Sequence, residues 1–359
     1  MTPSTDTDTN TATSQPAATA RPGPLANARR LSRSVGTQNV SLLIALLILV
    51  AIFGIARPDT FFQPVNLVNI GGAVSLLAVV AFAETLVILS GGLDISVGSI
   101  VGLSSVSSAW AMVHVTNNAA AGIAAAVLAG LAAGLVNGLI ITVGRVNPVV
   151  ATLGTLSAFQ GIAFLVAAGQ SIPVLNLQYI EIGLARLAGL PVALVISLVV
   201  AVVIAVALKV TDFGRNVYAL GGNPVAARFA GIPINRYKIG IYAVSGLVAG
   251  IGGIILTART QNGTPASGSA GLELQAITAV VLGGAALTGG KGTIMGTVYG
   301  VLIIGVLQNG LNLLNVQTFY QQVATGLLLV VAVMIQQFRS DGVWRRWPGR
   351  VRAGAGVQS

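Results

Sequence analysis

Apolar runs separated by short polar segments dominate the pattern of residues 40–338. Ten of these runs approach the length of about 20 residues that an α-helix needs to cross the hydrocarbon core of a bilayer. The pattern therefore predicts an all-α polytopic transmembrane bundle of about ten spans, with broken or short helices where glycine and proline interrupt the runs. The ten runs cover residues 40–56, 68–90, 97–115, 119–143, 149–168, 190–208, 239–258, 274–290, 293–312 and 319–338.

Glycines recur at every fourth position in several of these runs, as in Gly130 and Gly134 or in Gly246 and Gly250. Small residues at this spacing let helix backbones approach closely in lipid, where helices associate through van der Waals packing. We therefore expect a tightly packed bundle with many helices.

Composition divides the chain into three regions. Residues 1–39 are rich in Thr, Ala, Ser and Pro and contain no aromatic side chain, so we expect a disordered tail. Residues 40–338 form the transmembrane domain, and residues 339–359 form a second tail. In this second tail Trp344 and Trp347 lie beside arginines, which predicts an anchor at the inner face of the membrane.

The chain is poor in reactive side chains. Only 8% of the residues are charged and 54% are hydrophobic, which is more apolar surface than a soluble core of this length could bury. The chain has no cysteine and a single histidine, His114. This excludes disulfides and argues against a histidine-rich metal centre or a Ser-His-Asp triad. We therefore expect no catalytic residue, no metal site and no enzymatic activity on this chain.

Basic residues are concentrated on one side of the predicted spans. With the N-terminus placed in the cytoplasm, sixteen of the 19 Lys and Arg residues fall inside, and only Arg57, Arg186 and Arg259 fall outside. Cytoplasmic loops carry an excess of positive charge, so we expect a multi-pass inner-membrane protein with both termini in the cytoplasm. Because the net charge of +10 comes from the ends of apolar runs, its expected partner is lipid and not nucleic acid.

The polar segment 209–238 contains a predicted short helix. Asn223 is a good N-cap, Pro224 suits the first helical position and Gly231 ends the helix. A helix this short is marginal alone in water, so it needs a partner surface, for which Phe229 offers an apolar anchor. A soluble protein and an anionic membrane surface reached through Arg228 are equal alternatives on composition.

The glycine-rich segment 284–293 is superficially similar to a phosphate-binding loop. Counted back from Gly290 and Lys291, the first required glycine is Ala285, and Lys291 is followed by Gly292 instead of Ser or Thr. The backbone cradle and the magnesium-binding hydroxyl are both missing. We therefore expect a tight turn between two helices and no nucleotide site.

Five motifs occur in order along residues 40–338. They are Gly91-Gly92-Leu93-Asp94-Ile95-Ser96, the segment 147–155, the loop 214–232 with Gly221-Gly222-Asn223-Pro224, the segment 273–284, and Gln308-Asn309-Gly310-Leu311-Asn312. Together they resemble the ribose-type permease subunits of ATP-binding-cassette importers. Because the likeness covers the whole apolar region, it is more specific than any single motif.

The resemblance implies a membrane-spanning subunit with several partners: a second permease copy in a homodimer or a heterodimer, two cytoplasmic ATP-binding subunits and an external solute-binding protein. ATP and magnesium would be bound by the ATPase subunits, and no cofactor by this chain. In this family the motion of the ATPase enters the membrane domain through the cytoplasmic loop. The resemblance therefore assigns ATPase coupling to Arg215, Asn223, Ala226, Ala227, Arg228, Phe229 and Gly231.

Polar groups within the apolar runs are candidates for the solute path or its gate. Glu84 is an intramembrane acid and so a functional candidate, although members of the family commonly have an apolar or small polar residue there. Asp94 lies in a glycine-flanked break where Ser96 or Ser99 could cap the next helix, so we favour a structural role for Asp94 near the gate. The uncharged candidates suit a neutral polyhydroxylated solute, and equally a role in helix packing; they are Asn137, Asn147, Thr152, Gln160, Gln308 and Asn309.

The expected function is import of a neutral monosaccharide-like solute, ribose or similar, driven by ATP hydrolysis on other chains. One rival is an ion-coupled secondary transporter of a small polar solute, which would need several membrane acids where only Glu84 qualifies. The other rival is a membrane scaffold that recruits partners through the polar loop.

Overall fold

A computed structural model describes residues 24–266 and 271–340 of the chain. These residues form fourteen helices: α1 (Pro24–Ala56), α2 (Pro58–Phe61), α3 (Pro64–Leu89), α4 (Val97–His114), α5 (Ala119–Thr142), α6 (Pro148–Val166), α7 (Leu177–Leu184), α8 (Val192–Val210), α9 (Asp212–Gly222), α10 (Pro224–Phe229), α11 (Ile234–Thr260), α12 (Leu272–Leu282), α13 (Ile294–Leu313) and α14 (Thr318–Ser340). Four two-residue strands form two antiparallel pairs, β1 (Ile172–Pro173) with β4 (Asn262–Gly263) and β2 (Arg186–Leu187) with β3 (Leu190–Pro191).

The prediction of an all-α polytopic bundle is confirmed. Within the described ranges, eight helical segments are long and apolar enough to cross a membrane: Asn39–Ala56 of α1, and α3, α4, α5, α6, α8, α11 and α13. Each of the ten predicted runs contains a helix, but α12 has only 11 residues. At 1.5 Å per residue it is roughly 16 Å long, about half of the hydrocarbon thickness. The predicted full span at 274–290 is therefore too long, because the chain leaves the helix at the glycines that follow Leu282.

The first helix begins earlier than the composition indicated. It starts at Pro24, so residues 24–39, which were assigned to a disordered tail, are helical. The chain nevertheless divides into two units, Met1–Gln38 and Asn39–Ser359, within one residue of the predicted domain boundary. The C-terminal anchor predicted at Trp344 and Trp347 lies outside the described residues.

The core of the larger unit is built from α3, α4 and α11, which are mostly buried, while α5, α6 and α8 each expose one face. Glycines at every fourth position make the tightest of these contacts, between α5 and α11. A Cβ atom built on Gly134 would lie 2.2 Å from the Tyr242 carbonyl oxygen, and one on Gly246 would lie 2.2 Å from the Gly130 carbonyl oxygen. The close packing predicted from the glycine spacing is confirmed here.

A small group of elements covers the end of the bundle that the charge pattern assigns to the exterior. It consists of α7 and the two strand pairs, which follow α6 and α11. Tyr179 of α7 is fully buried, and its hydroxyl lies 2.5 Å from Ser108 Oγ on α4. Burial raises the pKa of Tyr179, so this hydroxyl stays protonated and fixes α7 to the bundle.

Candidate functional site

The break between α3 and α4 gathers four of the predicted polar residues. Glu84 lies on α3, Asp94 in the break, Asn137 on α5 and Thr152 on α6, and all four are fully buried. The main-chain N–H of Asp94 donates to Glu84 Oε1 at 3.2 Å, and Asn137 Nδ2 donates to Ser96 Oγ at 2.7 Å. Positions far apart in the sequence therefore form one continuous polar cluster, which we call the break cluster (Glu84, Asp94, Ser96, Asn137 and Thr152).

Asp94 holds the start of α4. Its Oδ1 accepts hydrogen bonds from the main-chain N–H of Ser96 at 3.0 Å and from the Ser96 hydroxyl at 2.5 Å. The prediction that Ser96 caps α4 is wrong, because its side chain donates to Asp94 and makes no cap bond. Ser99 does not cap the helix either, since its hydroxyl donates to the Ser96 carbonyl at 2.8 Å.

Two glycines allow the chain to leave α3 and turn toward α4. Gly91 has φ +79°, a left-handed conformation that side chains disfavour. A Cβ atom on Gly92 would lie 2.7 Å from the Tyr242 hydroxyl oxygen. The next carbonyl, that of Leu93, accepts hydrogen bonds from Thr152 Oγ1 at 3.3 Å and from the Tyr242 hydroxyl at 3.4 Å. The break is thus fixed by α6 and α11 as well as by its own residues.

Glycines of three segments meet directly beside the break. A Cβ atom on Gly221, near the end of α9, would lie 1.9 Å from the Leu89 carbonyl oxygen, and one on Gly289 would lie 2.8 Å from Gly91 Cα. The main-chain N–H of Gly290 donates to the Leu89 carbonyl at 2.9 Å. Backbone therefore touches backbone between α9, the end of α3 and the turn before α13. We call this contact the glycine joint (Gly91, Gly221, Gly289 and Gly290).

Side chains reinforce the attachment of α9. The Tyr218 hydroxyl donates to the Gly292 carbonyl at 3.0 Å, and Asn216 Nδ2 donates to the Tyr237 hydroxyl at 2.5 Å. The rings of Phe213 and Tyr237 stack with centroids 6.1 Å apart. Burial raises the pKa of Tyr218, so its hydroxyl remains a donor across the physiological pH range. These contacts hold α9 to both the 284–293 turn and the start of α11.

The predicted short helix is present as α10. Asn223 Oδ1 accepts a hydrogen bond from the Ala226 main-chain N–H at 3.0 Å, and the chain turns after the helix at Gly231, whose φ is +80°. Val225 and Phe229 are 64% and 88% exposed. Two apolar side chains on this solvent-accessible helix therefore have little cover from their own chain.

The residues assigned to ATPase coupling occupy different positions on this loop. Ala227 is only 3% exposed, so it packs inside the loop. Arg215 is exposed and forms an ion pair with Asp212, one helical turn earlier on α9. The remaining assigned residues are exposed; they are Asn223, Ala226, Arg228, Phe229 and Gly231.

A second group of predicted residues lines a cavity of about 470 Å³ near the opposite end of the bundle. Gln308 and Asn309 of α13 line it, and both are half-buried. Asn309 exchanges two hydrogen bonds with Asn66 of α3: Asn309 Nδ2 donates to Asn66 Oδ1 at 2.8 Å, and Asn66 Nδ2 donates to Asn309 Oδ1 at 3.1 Å. This amide pair joins α3 to α13 at the wall of the cavity.

Sequence reasoning missed four polar residues of the cavity. Asn69 and Asn312 add two amides, and Arg186 of β2 and Arg259 of α11 add two guanidinium groups. A signal for the amides existed, because each lies three residues from a paired asparagine, Asn66 or Asn309, and so on the same helix face. The arginines gave no such signal, since only the fold brings β2 and the end of α11 to one place.

Two predicted solute-path residues lie outside both groups. Asn147 is exposed and caps α6, where its Oδ1 accepts a hydrogen bond from the Val149 main-chain N–H at 2.9 Å. Gln160 is half-buried on α6 and is neither in the break cluster nor among the residues that line the cavity. The structure thus divides the other six predicted residues between the break cluster and the cavity.

Most of the chain matches known proteins. Residues 66–333 match a family described as "Branched-chain amino acid transport system / permease component". The ribose import permease protein RbsC of Bacillus subtilis is 42% identical over 305 residues, which cover 84% of this chain and 94% of that protein. The L-arabinose transport system permease protein AraH of Escherichia coli is 38% identical over 275 residues, 77% of this chain and 83% of that protein. The chain belongs to the permease components of ATP-binding-cassette sugar importers.

The family match covers every site described above. It begins at Asn66 near the start of α3 and ends at Val333 in α14, so it includes the break cluster, the glycine joint, α10 and the cavity. The family resemblance deduced from the five motifs is thereby confirmed, and the permease is a multi-pass inner-membrane protein. No solved structure matches the permease.

Proposed function

We propose that the permease carries a neutral monosaccharide-like solute, ribose or a similar sugar, into the cytoplasm as one of two membrane-spanning subunits of an importer. ATP hydrolysis on two partner subunits, which bind the ATP and magnesium, drives the cycle, and an external binding protein delivers the solute. The relatives described above are ribose and L-arabinose permeases, which supports a sugar as the solute.

The attachment of α9 and α10 to the bundle is the observation that carries this proposal. Val225 and Phe229 are exposed on a short helix that is marginal without a partner. The preceding helix, α9, touches the α3–α4 break through backbone atoms of the glycine joint. Coupling between distant sites runs through rigid, contiguous contacts. A soluble subunit that binds α10 can therefore displace the break, because the displacement is transmitted through backbone contacts and not through flexible side chains.

The cavity is suited to handling a sugar. Its amide side chains, Asn69, Gln308, Asn309 and Asn312, offer both donors and acceptors, which match the hydroxyl groups of a neutral polyol. The charge pattern places this cavity toward the exterior and α10 toward the cytoplasm. Solute would enter at the cavity, at one end of α3. The ATPase subunits would act at the opposite end of the same helix, through α10 and α9.

A second copy of the permease would cover a groove between α12 and α14. The groove has a volume of about 390 Å³ and includes Gln275, Thr278, Gln322 and Thr325 in its lining. Polar side chains of this kind are costly against lipid tails and usually face protein or a water-filled path. We place the interface between the two copies, and the path between them, at this groove.

The test is solute uptake into vesicles. The full permease is reconstituted with its ATPase subunits and binding protein, and uptake of labelled ribose and L-arabinose is measured with and without ATP. We expect uptake of a sugar that requires both ATP and the binding protein. Uptake driven by a proton or sodium gradient in vesicles without the ATPase would support the ion-coupled rival, and failure to move any solute would support the scaffold.

Phe229 tests the coupling role within the same assay. Truncating an aromatic anchor in an interface typically costs about 2 kcal/mol or more, so we expect Phe229→Ala to weaken ATPase binding roughly tenfold or more. ATP-driven uptake should fall with it. The matched control is Val210→Ala at the end of α8, which is also exposed, at 66%, but lies outside α10. If the two variants bind the ATPase equally well, α10 is not part of the interface.

A further inference from the structure

Glu84 and Asp94 form a pair of buried acids that the proposed transport cycle does not use. Both side chains are 0% exposed, and the Asp94 main-chain N–H bonds to Glu84 Oε1 at 3.2 Å. Among the side chains that the structure describes, the one ion pair is Arg215 with Asp212, on the surface of α9. The buried acids therefore have no basic partner in the described part of the chain.

The groups that surround the pair are uncharged. Asn137 faces it from α5, Thr152 from α6 and Tyr242 from α11. Of these only Tyr242 is titratable, and its hydroxyl donates to the Leu93 carbonyl. On the side of α9, the charged side chains are exposed, namely Lys209, Asp212, Arg215 and Lys291.

Two ionised carboxylates in such a place would be very unfavourable. Burial of a single unpaired carboxylate is costly, and a second one nearby adds repulsion, so at least one group takes up a proton instead. Burial raises the pKa of Asp94, and this rise is partly offset by hydrogen bonds from Ser96 and from the side chain of Asn137. The cost of burial and the absence of a described cation both indicate that at least one of the two carboxyl groups is protonated and neutral.

Unpaired oxygens in the break cluster show where the proton is needed. Glu84 Oε2, Asp94 Oδ2 and Asn137 Oδ1 are buried and have no hydrogen-bond partner in the described part of the chain. All three are acceptors when the acids are ionised, so each of these oxygens lacks a described donor. The amide of Asn137 is fully buried and its Nδ2 donates to Ser96 Oγ, which leaves its own oxygen without a described donor.

We propose that the Glu84–Asp94 pair is a proton-binding site that holds one proton between its two carboxyl groups at neutral pH. The proton supplies the missing donor and leaves the pair with a single negative charge. That charge is stabilised by the hydrogen bonds that the Ser96 main-chain N–H and hydroxyl donate to Asp94. Loss of the proton would place two negative charges together and push the break away from α3.

The Glu84–Asp94 pair lies beside the glycine joint, where loss of its proton would affect the contact between the break and α9. The end of α3 that follows Glu84 enters the glycine joint at Leu89, and the break that contains Asp94 begins at Gly91 of the same joint. The protonated pair therefore ties both sides of the break together, directly next to the contact with α9. Glu84 acts here as a positioning residue.

Infrared spectroscopy of the full-length permease in lipid nanodiscs tests the proposal directly. At neutral pH we expect the carbonyl band of a protonated carboxyl group, with a shift in heavy water, and we expect Glu84→Gln to remove it. The controls are Glu181→Gln, an exposed acid of α7, and Glu273→Gln, the other buried acid among the described residues. Absence of the band in the wild type, or a band that Glu84→Gln leaves unchanged, would overturn the proposal.

The dependence of stability on pH gives a second readout. A carboxyl pair that binds a proton more tightly when folded loses that stabilisation as pH rises through the folded-state titration. We expect the melting temperature of the wild type to fall with rising pH above the usual carboxyl range, and the fall to be smaller in Glu84→Gln. Parallel curves for the two proteins contradict the proposal. So does a wild-type melting temperature that depends on sodium or potassium without a carboxyl band, since a cation would then replace the proton.

The wild-type measurements keep the proposal testable even where Glu84→Gln fails to fold. Titration of the carboxyl band with pH needs no variant, and a protonated band that disappears reversibly at high pH is the expected result. A spectrum that shows only ionised carboxylates from low to high pH would reject a bound proton.

Discussion

Gly221 and Gly222 are adjacent in the sequence and have opposite environments. A Cβ atom on Gly221 would lie 1.9 Å from the Leu89 carbonyl oxygen and 2.5 Å from the Gly290 nitrogen, whereas a Cβ atom on Gly222 would meet no atom within 4 Å. The first contact joins two backbones, so no flexible side chain can move aside. At the scale of single residues, the molecule depends on such places where only hydrogen fits.

Gly221→Ala tests this dependence. We expect it to lower the free energy of unfolding by about 1–3 kcal/mol, because the added methyl group must push α9 away from α3. ATP-driven uptake should fall as well, since the glycine joint is the proposed path of coupling. Thermal unfolding and uptake measure the two effects.

Gly222→Ala is the matched control. It adds the same methyl group at an open position, and surface substitutions of this kind usually change stability by less than about 0.5 kcal/mol. Similar melting temperatures for both alanine variants would show that the joint tolerates a side chain.

The helix α9 is held as an element by contacts along its length. Thr211 caps its start, the hydroxyl of Tyr218 reaches the turn before α13, and its last residues enter the glycine joint. Its six-residue neighbour α10 has few such contacts and presents Val225 and Phe229 outward. One element is therefore fixed to the bundle, while the next exposes apolar side chains, which suits the proposed docking of a partner subunit at α10.

Tyr218→Phe measures how strongly α9 is fixed. The change removes one hydroxyl that donates to the Gly292 carbonyl, and such a hydrogen bond contributes about 0.5–1.5 kcal/mol. We expect a lower melting temperature and a weaker response of uptake to ATP. Tyr320→Phe is the control, because Tyr320 is 66% exposed on α14. If the Tyr218→Phe protein is as stable as this control, contacts other than the Tyr218 hydroxyl hold α9 in place.

At the scale of the whole molecule, the described membrane helices leave a polar surface uncovered at the groove between α12 and α14. Gln322 is exposed in the groove between α12 and α14, whereas the outer face of α8 presents valines such as Val199 and Val202. Lipid covers the valine face at no cost, but it offers no hydrogen bonds to the glutamine. The difference between these faces is the reason to place a second copy at the groove.

Cysteine cross-linking tests this arrangement. Because the chain has no native cysteine, any disulfide between two copies must involve the introduced residue. We expect Gln322→Cys to form a disulfide-linked dimer in membranes under mild oxidation, because the groove of one copy would face the groove of the other. Val199→Cys on α8 should stay monomeric. Cross-links at Val199 with none at Gln322 would move the interface to α8.

The apolar pattern by itself determined the long membrane helices and their order. Each run approaches the length that spans a bilayer, and a backbone in lipid must satisfy its own hydrogen bonds, which a helix does within the segment. The short helix from Asn223 to Gly231 was also readable, because a cap, a proline and a glycine act locally. The length of α12 could not be predicted from the sequence. In this chain glycines occur both inside helices and in the left-handed turns that end them, so a glycine does not by itself mark a helix end.

The assembly of the sites was decided only by the tertiary structure. The sequence identified Glu84 and Asp94 separately, as polar residues in apolar surroundings, but their hydrogen bond requires the turn at Gly91 and Gly92. The cavity likewise needs β2 and the end of α11 to bring Arg186 and Arg259 together. Local patterns report how each residue meets lipid or water. Which buried groups meet each other depends on packing between helices that are far apart in the chain.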